Sequence, residues 1–235
     1  MTSIKNLTII SITYNNEEEL LRTYHSLKSF RHNQGTHIII NGGEPLKSTL
    51  TNVIICEEPD LGIYDAINKG ISKVVTPYFM LIHSGDIFIS TVDTLNAQLE
   101  LLENENYDIL LNNCVIELKK GLRQMKADNW KPWMLALGAQ PPHPPTIYRT
   151  KFATKFRYDI TLTIISDFKY FEEIFQNNIK WSSGNSRLIH MTRGGKTSSG
   201  IKSFFSVSAE FFKLKGIKAV FLLVSRPLLK IYMFF

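Results

Sequence analysis

Short apolar runs alternate with polar stretches of helical period along the first third of the chain. Residues 7–14 (LTIISITY) read as a strand, residues 17–30 as an amphipathic helix opened by Asn15-Asn16, and residues 37–41 as a second strand. Residues 53–56 form a third apolar run, 64–73 a helix pattern and 78–82 (YFMLI) a fourth strand. Strand and helix signals that alternate, apart from the two successive strands at 37–41 and 53–56, predict a mostly parallel sheet with crossover helices, an α/β fold. After Asp86 the pattern changes. Residues 91–104 predict a helix with Leu95, Leu101 and Leu102 on its apolar side, and 107–118 a long strand turned by Lys119-Lys120-Gly121 into 122–126. A short helix is expected over 130–137 and another over 167–176. The proline-rich 140–145 must be an extended loop, because successive prolines remove donors and fix φ. No repeat or low-complexity linker interrupts this order, so residues 1–200 are expected to be one domain with halves 1–89 and 90–200, followed by a tail, 201–235.

The tail changes the electrostatic picture. The chain has 235 residues, 44% hydrophobic and 20% charged, an ordinary globular composition that excludes disordered and collagen-like classes. Its net charge of +6 is unevenly placed. From Lys196 onward Lys196, Lys202, Lys213, Lys215, Lys218, Arg226 and Lys230 face a single acid, Glu210. Apolar positions 204, 207, 211, 214, 217 and 221 follow helical spacing among these lysines, with a second apolar group over 228–235 after Arg226-Pro227. That pattern describes a helix lying in an anionic membrane surface; a helix packed on its own domain or on a second subunit, giving a homodimer, has the same pattern. Nucleic acid is not an expected partner, since the aromatics are phenylalanines clustered with aliphatics. Cys56 and Cys114 lie in apolar, strand-like surroundings without a CxxC spacing, which fits buried thiols in a reducing compartment. The N-terminal apolar run lacks the flanks of a signal peptide, and no run of roughly 18 apolar residues predicts a transmembrane helix.

Candidate chemistry gathers where the predicted strands end. In an open α/β sheet, ligands bind outside the carboxyl ends of the strands. The fourth strand stops at His83-Ser84-Gly85-Asp86 and delivers one carboxylate there, suited to a hard cation and a phosphate. Thr13, Tyr14, Asn15 and Glu17 follow the first strand, and Asn41-Gly42-Gly43 the second, in positions suited to a nucleotide. Residues 57–70 (EEPDLGIYDAINKG) contribute Asp60, Asp65, Asn68 and Lys69; the two acids are either ligands to sugar hydroxyls or local turn and helix caps.

EEPDLGIYDAINKG followed by a strand and HSGD resembles the bacterial family 2 glycosyltransferases of the GT-A fold. The opening strand 7–16, Pro141-Pro142-His143-Pro144-Pro145-Thr146, Ile165-Ser166-Asp167-Phe168 and Gly194-Gly195-Lys196-Thr197-Ser198-Ser199 are similar, in order, to further segments of that family, so the likeness spans about residues 5–200. The resemblance implies a Rossmann-like nucleotide-sugar half and an acceptor half. It also implies an inverting transfer from a nucleoside diphosphate sugar, a UDP-sugar being the expected donor, and a Mn²⁺ or Mg²⁺ cofactor. The acceptor it implies is a lipid-linked glycan of surface polysaccharide (O-antigen or capsule), met at the cytoplasmic face of the membrane. On this reading Asp86 and His190 hold the metal and Asp167 is the base. Thr13, Tyr14, Asn15, Glu17, Asn41, Asp60, Asp65, Asn68, His83, Ser84 and Gly85 contact the donor, His143 the acceptor or departing phosphate, and Arg193 and Lys196 the diphosphate. Two departures stand out: Asn41 replaces an acid, and His83 leaves Asp86 as the only carboxylate of its turn. They keep open a catalytically inactive sugar-nucleotide-binding relative. A nucleotidyltransferase is the other alternative, although Thr13-Tyr14-Asn15-Asn16-Glu17 lacks that class's glycine-rich, basic loop.

Overall fold

A computed structural model describes residues 3–118, 121–192 and 200–234. After a single 3-10 turn the chain forms β1 (Leu7–Thr13), α1 (Glu17–Ser26), α2 (Lys28–His32), β2 (Thr36–Asn41), β3 (Ile54–Glu57), α3 (Ile63–Ser72), β4 (Tyr78–Leu81) and β5 (Ile87–Phe88). The rest comprises α4 (Val92–Asn104), β6 (Ile109–Leu118), β7 (Gly121–Met125), a 3-10 segment (Pro132–Leu137), β8 (Ile147–Arg149), α5 (Thr150–Ala153), α6 (Ser166–Phe175), β9 (Trp181–Met191), α7 (Gly200–Lys215) and α8 (Lys218–Phe234).

One mixed sheet runs in the order β3-β2-β1-β4-β8-β6-β9-β5, with β7 paired to β6. Its first four strands are parallel, as the strand and helix alternation predicted, and β8 enters antiparallel between β4 and β6. Side chains alternate between two cores. Ile10 and Ile12 of β1 join Ile38, Ile40, Phe79 and Leu81 on one face, while Leu7 and Ile9 join Tyr78, Met80 and Ile82 on the other. Helix α3 can lie close on β1 because Gly70 faces Ile10, where a Cβ would come within 2.5 Å of the Ile10 Cγ2. All four parallel strands therefore end on the same rim, and Thr13, Asn41, Glu57 and the 83–86 turn follow from that.

The tail departs from the expectation in two ways. The helix breaks at Gly216, whose φ is +56°, and the second helix runs through position 227 to Phe234. More consequentially, the middle of the stripe expected to face a membrane, positions 207, 211 and 214, is docked on the domain, while Ile217 and Phe221 stay exposed. Phe211 is fully buried with its ring 5.2 Å from that of Phe168, and Val207 and Leu214 pack against the same core. The Lys126 amide donates to the Met233 carbonyl (3.0 Å), and the Ser225 hydroxyl to the Leu137 carbonyl (2.9 Å). Amphipathic spacing specifies that one face is buried and is silent about what buries it. A second face stays exposed, carrying Phe205, Phe212, Ile217, Val220 and Phe221. Among the described residues, no helix is long and apolar enough to cross a membrane.

Candidate functional site

At the rim of β1 and β2 lies a cleft of about 240 Å³, lined by Thr13, Asn15, Glu17, Asn41 and the 44–47 loop. Each of these polar residues also organises the cleft. Asn41, buried, donates to the Glu44 carbonyl (2.7 Å) and to Glu57 (3.2 Å) and accepts from the Gly43 amide (3.1 Å). Asn15, at φ +50°, accepts from the Glu44 amide at 2.8 Å. Glu17 accepts the Lys47 and Ser48 amides, and bonds from Ser48 and Lys47 hold its carboxyl below the ordinary value. The Thr13 hydroxyl bonds the Asn16 carbonyl (3.3 Å), and Tyr14 points outward, 64% exposed. Gly42 and Gly43 are required by close approach: a Cβ at Gly42 would sit 1.6 Å from Asp60 Oδ2, and one at Gly43 would sit 2.3 Å from Asn15 Oδ1. The glycine pair thus lets the Asp60 carboxylate come up beside the β2 turn.

The α3 segment divides. Asp60 accepts the Gly62 amide (2.9 Å) at the cleft edge. Asp65 accepts the Leu61 amide and pairs with Lys69 at 3.2 Å, and these contacts, the amide first, hold its carboxyl below the usual range. Asn68 faces the other way. Its side-chain amide both donates to the Tyr158 carbonyl (2.8 Å) and accepts from the Tyr158 amide (2.9 Å), clamping α3 to the chain before α6.

The Asp86 turn is held from outside by residues that no motif marked. The Thr23 hydroxyl, on α1, lies 2.8 Å from the Asp86 carbonyl and accepts the Gly85 amide at 3.0 Å. Thr192, just after β9, donates to the Gly85 carbonyl at 2.8 Å, and the Ser84 hydroxyl reaches the Asn16 carbonyl. Gly85 has φ +95°, a left-handed conformation that a side chain would strain. Asp86 is 7% exposed, and burial, partly offset by backbone bonds from His83 and Thr192, raises its carboxyl to about 7.

Asp167 stands in the first turn of α6. Its Oδ1 accepts the Phe168 amide (2.9 Å) and the Tyr64 hydroxyl (3.4 Å), and its Oδ2 accepts from Gln140 Nε2. Burial, then the Asp167 charge, pushes the Tyr64 phenol up, so it stays a donor. Tyr64 also lines a second cleft, of about 100 Å³, with Leu61, Asp65, Leu162 and Thr163.

The proline loop lies between Asp167 and the turn that carries Asp86. Gln140, at its start, holds Asp167, and the His143 ring lies 6.3 Å from that of His83, in the Asp86 turn. Burial depresses His83 to about 4; the His143 ring adds to this, and the Asp167 charge opposes it. His143 itself is locked, each ring nitrogen engaged with a tyrosine hydroxyl: Tyr148 at 3.1 Å and Tyr158 at 3.2 Å. With burial lowering it to about 3, it stays neutral and holds the loop in place. The loop's contact with a site acid comes from Gln140, one residue before the prolines.

A divalent cation can be tested against these atoms. His190 pairs in register with Ile87, next to Asp86, and its Nε2 is buried without a hydrogen-bond partner; His83 Nδ1 is likewise buried and unpartnered. Among the described residues no three His, Cys, Asp or Glu side chains gather as a cage. Asp86 and these two orphaned imidazoles are the donors a cation at this rim would draw on, together with the oxygens of a bound diphosphate. Gly194, Gly195, Arg193 and Lys196 lie outside the described residues.

The Glycosyl transferase family 2 model matches residues 8–176. Two uncharacterized glycosyltransferases of Mycobacterium tuberculosis, MT1564 and Rv1514c, are 32% identical over 114 residues, 45% of this chain and 43% of theirs, so the alignment spans less than half of either protein. Among solved structures, S. aureus TarS (residues 1–349) in complex with UDP-GlcNAc superposes with a TM-score of 0.65 at 15% identity, over 92% of this chain and 70% of that one. The mannosyltransferase PcManGT of Pyrobaculum calidifontis, in complex with GDP-Man and Mn²⁺, gives 0.63 at 10% identity, over 97% and 72%. These likenesses establish the GT-A fold.

Proposed function

The chain belongs to glycosyl transferase family 2, and from that premise we propose that it transfers a sugar, with inversion, from a UDP-sugar to a hydroxyl of a lipid-linked glycan during surface-polysaccharide synthesis. The observation that carries this reading is the convergence of the Asp86 turn and Asp167 on one proline loop, through His83–His143 and Gln140. On this reading the sugar nucleotide's base and ribose occupy the Thr13–Asn41 cleft, with Asp60 at its edge, and the diphosphate lies toward the 83–86 turn. Asp86 and His190 would hold Mn²⁺ or Mg²⁺ there, which when bound supplies positive charge to the departing diphosphate.

Asp167 then takes the proton of the attacking acceptor hydroxyl. Tyr64 and Gln140 donate to its carboxylate and keep it oriented, so that one oxygen can meet the hydroxyl while the acceptor oxygen attacks the anomeric carbon from the face opposite the diphosphate. The second cleft, beside Tyr64, is the approach for the acceptor. Retention of both acids argues against an inactive relative.

The exposed phenylalanines of α7 and α8 interleave with lysines, which favours an acceptor that remains in an anionic bilayer, and so a peripheral position at the membrane. The test is nucleotide release from a panel of UDP- and GDP-sugars with Mn²⁺, for wild type and Asp167→Asn. General-base assistance is worth ~10² to 10⁴ in rate, so Asp167→Asn is expected to lose about that factor while binding UDP as the wild type does. A parallel loss of UDP affinity would remove Asp167 from the base role.

A further inference from the structure

The one acid of the tail does not face the solvent among its lysines. Glu210, on α7, turns inward onto the segment that leads into α6. Its Oε1 accepts the Thr163 amide (2.6 Å) and hydroxyl (2.7 Å), and its Oε2 accepts the Ile164 and Ile165 amides, each at 3.0 Å. Those three amides immediately precede the helix whose second residue is Asp167, and Ile165, at the N-cap position, makes no side-chain cap of its own. Burial raises the Glu210 carboxyl, but the bonds from Thr163, Ile165 and Ile164 outweigh it and leave the group below its ordinary value, hence ionised. The same helix pair grips α6 further along, where Lys215 meets Glu172 at 2.5 Å, and Phe211 wedges against Phe168, the residue after Asp167.

We propose that Glu210 is a positioning residue for the transfer reaction: the tail reaches back to fix the entry to α6 and thereby the direction of the Asp167 carboxylate. The inference rests on the reading of Asp167 as the base. Without the carboxylate, three adjacent amides and a hydroxyl lose their acceptor, and the 163–167 backbone is free to rotate against Tyr64 and Gln140. The Asp167 oxygen then spends less time where the acceptor hydroxyl must be. Thr163 also lines the cleft beside Tyr64, so the approach for the acceptor and the aim of the base depend on the same four bonds. The tail is on this view a working part of the active site as well as a surface.

The experiment uses the full chain and the UDP-sugar, among UDP-glucose, UDP-galactose and UDP-N-acetylglucosamine, from which the wild type releases UDP fastest. Glu210→Gln keeps shape and loses two of the four acceptor bonds. It is expected to lower kcat about tenfold or more, the scale of a small misplacement of a reacting group, with UDP affinity within about twofold of wild type. Thr163→Val, which removes a single bond, should give a smaller drop of the same kind and serves if Glu210→Gln folds poorly. In an Asp167→Asn background Glu210→Gln should cause no further loss, because a residue that acts through Asp167 has nothing left to act on. Full kcat in both single variants, or losses that multiply with Asp167→Asn, would overturn the proposal while leaving the base in place. Full kcat in Asp167→Asn alone, or no UDP release from any donor by the wild type, would remove the base reading and this inference with it.

Discussion

Phe211 and Phe212 are neighbours in sequence and opposites in structure, which makes them a sharp test of how the tail is used. Phe211 is fully buried, edge-on to Phe168, whereas Phe212 is 45% exposed. Replacing a fully buried phenylalanine by alanine removes its transfer free energy and leaves a cavity, at a cost of about 3–5 kcal/mol. For a chain of 150–250 residues each kcal/mol shifts Tm by about 2–4 °C, so Phe211→Ala is expected to lower Tm by roughly 6–20 °C. Phe212→Ala removes surface that is already half in water and should stay within about 0.5 kcal/mol, the usual range for exposed positions. Differential scanning fluorimetry of the two variants beside wild type measures both. Sedimentation with vesicles containing anionic lipid adds the complementary reading, in which Phe212→Ala weakens binding and Phe211→Ala, assayed below its Tm, does not. A Tm for Phe211→Ala within 2 °C of wild type, together with lost vesicle binding, would show the stripe bedded in lipid and refute the docked arrangement.

Two further outcomes follow from the same geometry. Burial holds His37 and His143 at about 3, far below the ordinary imidazole value of 6.5, so both enter the unfolded state's proton uptake as pH falls. Their folded values are depressed, so the stability they permit is complete above about pH 6.5 and is lost as pH falls toward 3; at pH 5 the pair costs about 4 kcal/mol. At that pH His83, at about 4, adds about 2, and Asp86, raised to about 7, returns about 2.5, leaving a net loss of about 3–4 kcal/mol. The urea midpoint should therefore drop between pH 7.5 and pH 5, and an unchanged midpoint would contradict the buried, neutral assignment. At the nucleotide end, Gly42→Ala places a methyl on the Asp60 carboxylate and should weaken UDP binding by about tenfold or more, the value of one hydrogen bond to a charged group. Wild-type UDP affinity at wild-type Tm would detach Asp60 from the donor.

The local pattern determined a good deal of this protein. Runs such as residues 7–13 and 78–81 read as strands because both faces of a parallel strand are buried, and the helices between them carried their own periodicity. Together they specified a parallel half-sheet, and with it the rim where Thr13, Asn41 and Asp86 end up. The short antiparallel strands β5 and β8 were not legible: two or three residues carry no period, and their pairing with β9, β4 and β6 is decided by partners far along the chain. The supports of the site were hidden for the same reason. Thr23, Thr192, Gln140 and Glu210 act on the Asp86 turn and on α6 through hydrogen bonds across 27 to 107 positions, and nothing in their neighbours' spacing reports such a contact. Residue types and short spacings recorded which groups could bind a phosphate or take a proton. Only the folded chain decided that Val207, Phe211 and Leu214 of the tail's apolar stripe belong to the core, that its single acid faces α6, and that His143 is locked between two tyrosines, because burial and long-range partners are properties of packing.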